Sequence, residues 1–178
     1  MKKIAIAVVL FSVVVTPAVA ADMYIGVRGG QAKTSIENNT FNATTLNSTN
    51  PTGWGVFIGH DFNPNFAVEA EYLNLGEIKG GNGSVKSTGF SVSGVGSLPL
   101  NEQFSLFGKL GYAMITGKPG GSFTGNDLKN RAYTYGLGGQ LNITPSVGLR
   151  LGWDKYKFND SGINGNASLV SIGALIKF

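Results

Sequence analysis

The chain has 178 residues, with 27 glycines, no cysteine and only 13% charged residues. A charge content near half the roughly 25% of an ordinary soluble domain excludes a disordered, highly charged polymer, and the missing cysteines exclude disulfides and thiolate metal centres. The formal charge of +4 includes Lys2 and Lys3. With no basic run and no arginine-lined helix elsewhere, nucleic acid is not an expected partner.

Residues 1–20 read as a secretory leader. Lys2 and Lys3 form its basic start, Ile4 to Val15 its apolar run, and Ala18-Val19-Ala20 a small-residue cleavage site after Thr16-Pro17. The run is too short for a spanning helix, which needs about 20 apolar residues, and no later stretch approaches that length. Export through the Sec pathway is expected, with residues 21–178 as one mature domain.

From there the chain alternates. Met23, Ile25 and Val27 share one face of a first strand and Tyr24, Gly26 and Arg28 the other. A polar segment, 35–51, reads as a loop. The second strand, about 52–62, sets Trp54, Val56, Ile58 and His60 against Gly53, Gly55, Gly59 and Asp61, with Phe57 an exception. Asn63-Pro64-Asn65 is a turn. The third, 66–75, sets Phe66, Val68, Ala70 and Tyr72 against Ala67, Glu69 and Glu71. After a glycine-rich loop at 78–85, the fourth sets Phe90, Val92 and Leu98 against Gly89, Ser91, Ser93 and Ser97. A turn at 99–103 leads to the fifth, with Phe104, Leu106, Leu110, Tyr112 and Met114 against Ser105, Phe107, Lys109, Gly111 and Ala113. A loop at 117–130 precedes the sixth, with Tyr133, Tyr135, Leu137 and Leu141 against Thr134, Gly136, Gly138 and Gln140. Thr144-Pro145-Ser146 turns into the seventh, with Val147, Leu149, Leu151 and Trp153 against Gly148, Arg150, Gly152 and Asp154. A last loop, 159–166, leads to a closing strand whose face Val170, Ile172, Ala174, Ile176 and Phe178 opposes Ser171, Gly173 and Lys177, with Leu175 an apolar intruder.

Eight strands joined by strictly alternating long and short connections are what a membrane barrel has, with short periplasmic turns and longer outer loops. Strands of about 10–12 residues match the ~9–11 that cross a bilayer when tilted. The glycine, serine and charged face suits an enclosed bore, and the bulky apolar face suits lipid. The predicted fold is therefore an all-β, eight-stranded antiparallel up-and-down transmembrane barrel, closed because hydrocarbon tolerates no open sheet edge. Aromatics gather at both strand ends: Phe62, Phe66, Phe104 and Phe178 by the turns, Trp54, Tyr112, Tyr133, Tyr135 and Trp153 toward the loops. They are the expected interfacial girdles.

The segments YIGVRGG at 24–30, FAVEAEYLNLG at 66–76, FSLFGKLGYA at 104–113, YGLGGQLNIT at 135–144, VGLRLGWDKY at 147–156 and the terminal aromatic resemble the OmpA-like transmembrane barrels of Gram-negative outer membranes. The resemblance implies residence in the cell outer membrane and a C-terminal strand read by the barrel-insertion machinery. The chain stops at Phe178, so the peptidoglycan-binding domain that follows the barrel in OmpA is not expected.

Three functional readings follow. In the first, Arg28, Lys109 and Arg150 pair with Glu69 and Glu71, with Arg28, Lys109 and Glu71 near mid-bore, Arg150 and Glu69 about one pleat nearer the periplasm and Asp154 nearer the outside, plugging the lumen of a structural or adhesin-like surface protein. Outer-membrane lipid, lipopolysaccharide and a host or surface ligand of the loops are its expected partners, and Lys155 and Lys157, above Trp153, are candidates to meet lipopolysaccharide phosphates. The second is a narrow channel, since a general porin needs about 16 strands. The third is a lipid A-modifying enzyme of the kind known among small outer-membrane barrels. The one histidine, His60, lies at the periplasmic end on the lipid side, where a girdle role is expected and a catalytic triad is not. No catalytic residue, cofactor or metal site is expected, and the N-x-S/T triplets at Asn42, Asn47 and Asn82 read as chance matches.

Overall fold

The computed structural model describes residues 22–37, 51–80, 83–121, 128–160 and 163–178. The leader and the outer segments between these ranges lie outside the described residues. Eight strands follow in order: β1 (Met23–Glu37), β2 (Thr52–Asn63), β3 (Phe66–Gly80), β4 (Gly83–Pro99), β5 (Phe104–Gly121), β6 (Leu128–Asn142), β7 (Val147–Asp160) and β8 (Ile163–Lys177). Each pairs antiparallel with the next, and β1 pairs with β8 from Tyr24↔Lys177 to Glu37↔Asn164, which closes the barrel. Closure gives every strand a partner on both sides, the condition for backbone amides in a medium that offers no hydrogen bonds.

The expected short turns are held by their own side chains. Asn63 Oδ1 accepts the Asn65 amide at 2.9 Å. Asn101 Oδ1 accepts those of Gln103 and Phe104 at 2.9 and 2.7 Å. Thr144 Oγ1 accepts that of Val147 at 3.0 Å. Short polar side chains mimic a backbone turn in this way.

At the opposite end the strands run longer than hydropathy indicates. The segments read as loops at 35–51, 78–85, 117–130 and 159–166 are partly strand: β1 reaches Glu37, β3 and β4 reach Gly80 and Gly83, β5 and β6 reach Gly121 and Leu128, and β7 and β8 reach Asp160 and Ile163. Ladder bonding is a backbone property, so it continues where polar side chains erase the apolar alternation. In β3 a bulge between Asn74 and Gly76 shifts the register. Gly76 adopts φ +85°, a left-handed conformation that glycine takes without a steric cost, and Asn74 Oδ1 accepts its amide at 2.8 Å. The bulge swaps the faces, so Leu75 points inward while Glu77, two residues on, is exposed.

The outward face is apolar. Neighbours on β5 show the contrast: Leu110 is 74% exposed and Lys109 7%. Inside, large side chains stand over glycines. Tyr24 lies directly across from Gly59, Phe57 from Gly26 and Phe107 from Gly138. A Cβ on those glycines would come within 2.1, 2.3 and 2.5 Å of the facing ring. These inward glycines are thus the space into which bore side chains pack.

Gly59→Val should therefore lower the unfolding free energy in detergent micelles by about 1–3 kcal/mol through overpacking. Gly96→Val, where a Cβ meets nothing within 4 Å, should leave it unchanged. Urea titration followed by the heat-modifiable gel shift of the folded barrel measures both, and equal effects would remove the packing explanation.

Candidate functional site: the charged lumen

The bore is layered. Toward the turns, Tyr24, Phe57, Ala67, Val95, Phe107 and Leu175 form a buried apolar cluster. Toward the loops, Ala32, Leu73, Leu75, Ala113, Ile115, Ala132, Tyr156, Ala167 and Leu169 form another. Alternation alone gives the bore to small, polar and charged residues and makes Phe57 and Leu175 exceptions. They are lumen packing, and the charges occupy a belt between and among the two apolar layers.

Arg28 on β1 uses all five of its donors. Nε and Nη2 grip Glu71 of β3 at 2.5 and 2.8 Å, Nη2 also reaches Tyr156 Oη at 2.9 Å, and Nη1 meets Asp154 Oδ2 and, at 3.4 Å, Ser171 Oγ. A planar fork matched to a carboxylate is what arginine supplies and lysine cannot. Glu69, one pleat nearer the turns, accepts from Arg150 Nη1, from Tyr24 Oη at 2.8 Å and from Lys109 Nζ at 3.1 Å. Arg150 also donates to Gln140 Oε1, at 2.8 Å from Nη2 and 3.2 Å from Nε. Its guanidinium carbon lies 5.5, 5.1 and 4.8 Å from the ring centroids of Tyr24, Phe57 and Phe107, so the lower apolar layer is also a cation–π cage.

The two groups meet at Lys109, whose Nζ lies 3.8 Å from Asp154 Oδ1. Asp154, four residues beyond Arg150 on β7, faces both halves. Arg28, Lys109 and Arg150 against Glu69, Glu71 and Asp154 make a buried set with no net charge. Among the described residues no buried side-chain nitrogen or oxygen lacks a partner. Tyr24, Tyr156 and Gln140 complete the network. The signal for Tyr24 and Gln140 was their inward parity, but parity does not report which polar groups converge.

Between the groups is a cavity of about 10 Å³ lined by Arg28, Lys109, Arg150, Asp154 and Ser171, the least space that holds a water. Below Arg150 a polar vestibule of about 260 Å³ faces the turns, bounded by Asp61, Ser97, Ser105, Gln140, Asn142 and Lys177. At its rim Lys177 Nζ pairs with Asp61 Oδ2 at 2.9 Å.

On the outer wall, the aromatics lie in pairs. Trp54 packs on Tyr72 (5.9 Å between centroids), Tyr112 edge-on to Tyr133 (5.8 Å), and Tyr135 edge-on to Trp153 (6.1 Å). At the turn end, Phe62 stacks on Phe66 at 5.9 Å, and His60 stands edge-on to Phe62 at 4.9 Å. The Phe104 ring covers Gly139, and Phe178 donates its amide to Met23 O at 2.9 Å. Lys157 Nζ sits 5.8 Å from the Tyr135 centroid, and Lys155 is half-buried beside it.

Similar folds are found among solved structures. Neisserial surface protein A (NspA) superposes with a TM-score of 0.74 at 15% identity, over 89% of this chain and 98% of that one. Ail of Yersinia pestis, the attachment invasion locus protein, solved with the heparin analogue sucrose octasulfate, gives 0.60 at 18%, over 88% and 97%. The outer-membrane protease OmpT of Escherichia coli gives 0.50 at 10%, over 90% and 98%. At these identities the likeness is one of fold. A search of curated proteins finds no match. Residues 4–178 match the family model described as outer membrane protein beta-barrel domain. The chain belongs to the outer-membrane β-barrel protein family.

Proposed function

We propose that the protein is a plugged outer-membrane barrel whose role is structural and surface-interacting, with its loop-end extensions as the contact surface. The observation that carries this reading is the neutral belt of six charges packed between two apolar layers. A bore filled by side chains serves as a scaffold, and conduction would require the belt to come apart. The name of NspA and the sucrose octasulfate bound to Ail support a surface role, with an anionic ligand as one class to test. A non-enzymatic reading rests on His60, which packs against Phe62 on the lipid side of the turn end. In the same reading residues 1–20 are the cleaved leader, and the aromatic pairs of the outer wall are the interfacial girdles. Lys155 and Lys157, beside Tyr135 and Trp153, meet lipopolysaccharide phosphates.

Planar-bilayer recording tests the plug. Purified protein should give no conductance steps above background, whereas steady native openings would return the narrow-channel reading. Deleting the segments between strands on the loop end should abolish surface binding, read as capture on immobilised heparin, without unfolding the barrel.

Breaking one partner of the belt should be costly. Glu69→Ala leaves Arg150 without its carboxylate and Lys109 with Asp154 alone, and loss of a partner from a buried pair costs about 3–5 kcal/mol. Glu71→Ala should cost a similar amount through Arg28. Unfolding in urea, read by tryptophan emission, checks both, and losses below 1 kcal/mol would mean that lumen water carries these charges separately.

A further inference from the structure

The outer face of β4 and β5 carries an unusual ladder at its loop end. Three successive cross-strand pairs stand directly opposite one another: Phe90↔Met114, Thr88↔Thr116 and Lys86↔Lys118. All are outward by parity. Phe90 and Met114 are 52% and 60% exposed, the threonines half-buried and both lysines exposed. Going outward, the surface therefore changes from apolar to hydroxyl to cationic, each step two side chains wide.

The heights fit a membrane interface. A residue on a strand tilted about 45° climbs ~2.4 Å. Met114 stands ten residues beyond Phe104 on β5, about 24 Å up, which is the top of an apolar band about 25 Å tall. Lys118 stands four residues further, about 10 Å higher, at headgroup level.

Among the described residues no ion pair accounts for the lysine pair. Like charges directly opposite on neighbouring strands destabilise a sheet. Across its other edge Lys86 faces Glu77, yet neither lysine forms an ion pair with a carboxylate among the described residues. Two ammonium groups one strand spacing apart can share one phosphate between them, which turns the repulsion into attraction.

We propose that Lys86 and Lys118 form a clamp for a phosphate group of an outer-leaflet phosphorylated glycolipid, with Thr88 and Thr116 bonding its sugar or ester oxygens and its acyl chains lying on Phe90 and Met114. The clamp rests on the lipid-facing assignment of the barrel wall but not on the Lys155 and Lys157 contact, which lies on β7. The occupant is membrane-anchored because the cationic step continues directly into an apolar one: a free phosphate would use the lysines and leave Phe90 and Met114 idle.

The test uses full-length protein in micelles, with bisphosphorylated lipid A, its dephosphorylated form and inorganic phosphate as probes, and compares native protein with K86Q/K118Q and K155Q/K157Q. Native protein should bind bisphosphorylated lipid A at least tenfold more tightly than either other probe. K86Q/K118Q should lose that preference while melting, without lipid, at or above the native temperature, because the repulsion is gone. Undiminished binding by K86Q/K118Q, equal binding of dephosphorylated lipid A or of inorganic phosphate, or a lower melting temperature without lipid would each overturn the clamp. Loss of binding in K155Q/K157Q alone would place the contact on β7 and leave this clamp refuted.

Discussion

An eight-stranded barrel encloses a bore just wide enough for side chains to fill, and this narrowness governs the rest of the structure. Every large inward residue needs a small one opposite. Tyr24 has Gly59, Phe57 has Gly26, and Phe107 has Gly138. The same limit shapes the charges. Six of them occupy the belt, and each is close enough to a partner that no separate hydration is required. An aqueous pore would need a wider wall, so the narrowness that makes the lumen pack also supports the plugged reading.

The features that point outward were legible in the sequence. Period-two alternation, sorted loop lengths and terminal aromatics each report how a residue meets lipid or water, and such information is local. Strand number, closure and the lipid face all follow from it. The interior was legible only in part, because it depends on register across strands. Arg28, Glu71 and Lys109 could be brought to one height by counting from the turns. Asp154 could be assigned to the bore by parity, but its reach toward Arg28 crosses β8 and shows only in the register. Phe57 and Leu175 broke their local pattern and so looked like errors in it, when a glycine on the next strand was waiting for each. The upper apolar layer around Tyr156 and Leu169 was missed for a related reason: alternation assigns a residue to the bore without saying what shares the bore with it.

The strand ends show the opposite limit. Beyond the bilayer, hydropathy no longer distinguishes the two faces, yet backbone bonding continues to Gly121 and Asp160. These extensions lengthen the barrel wall at its loop end. They also create the outward pairs of β4 and β5, whose meaning appears only when their register is known.

A remaining question is why the bore holds charges at all, since a buried ion pair seldom stabilises more than apolar residues of the same volume. In water an apolar core identifies itself, because every apolar side chain seeks it. In lipid it does not: an aliphatic side chain is as content facing hydrocarbon as facing the bore. A one-residue slip of a strand moves all its side chains to the other face. With an apolar lumen that slip would cost little. With Arg28, Glu69, Glu71, Lys109, Arg150 and Asp154 inside, it would push ions into the bilayer, at about 2–4 kcal/mol for each arginine or lysine at the midplane, and it would strand their partners. The charges thus distinguish inside from outside on β1, β3, β5 and β7, every second strand around the wall. The strands between carry none in the belt, and they are held to register by neighbours that have them on both sides.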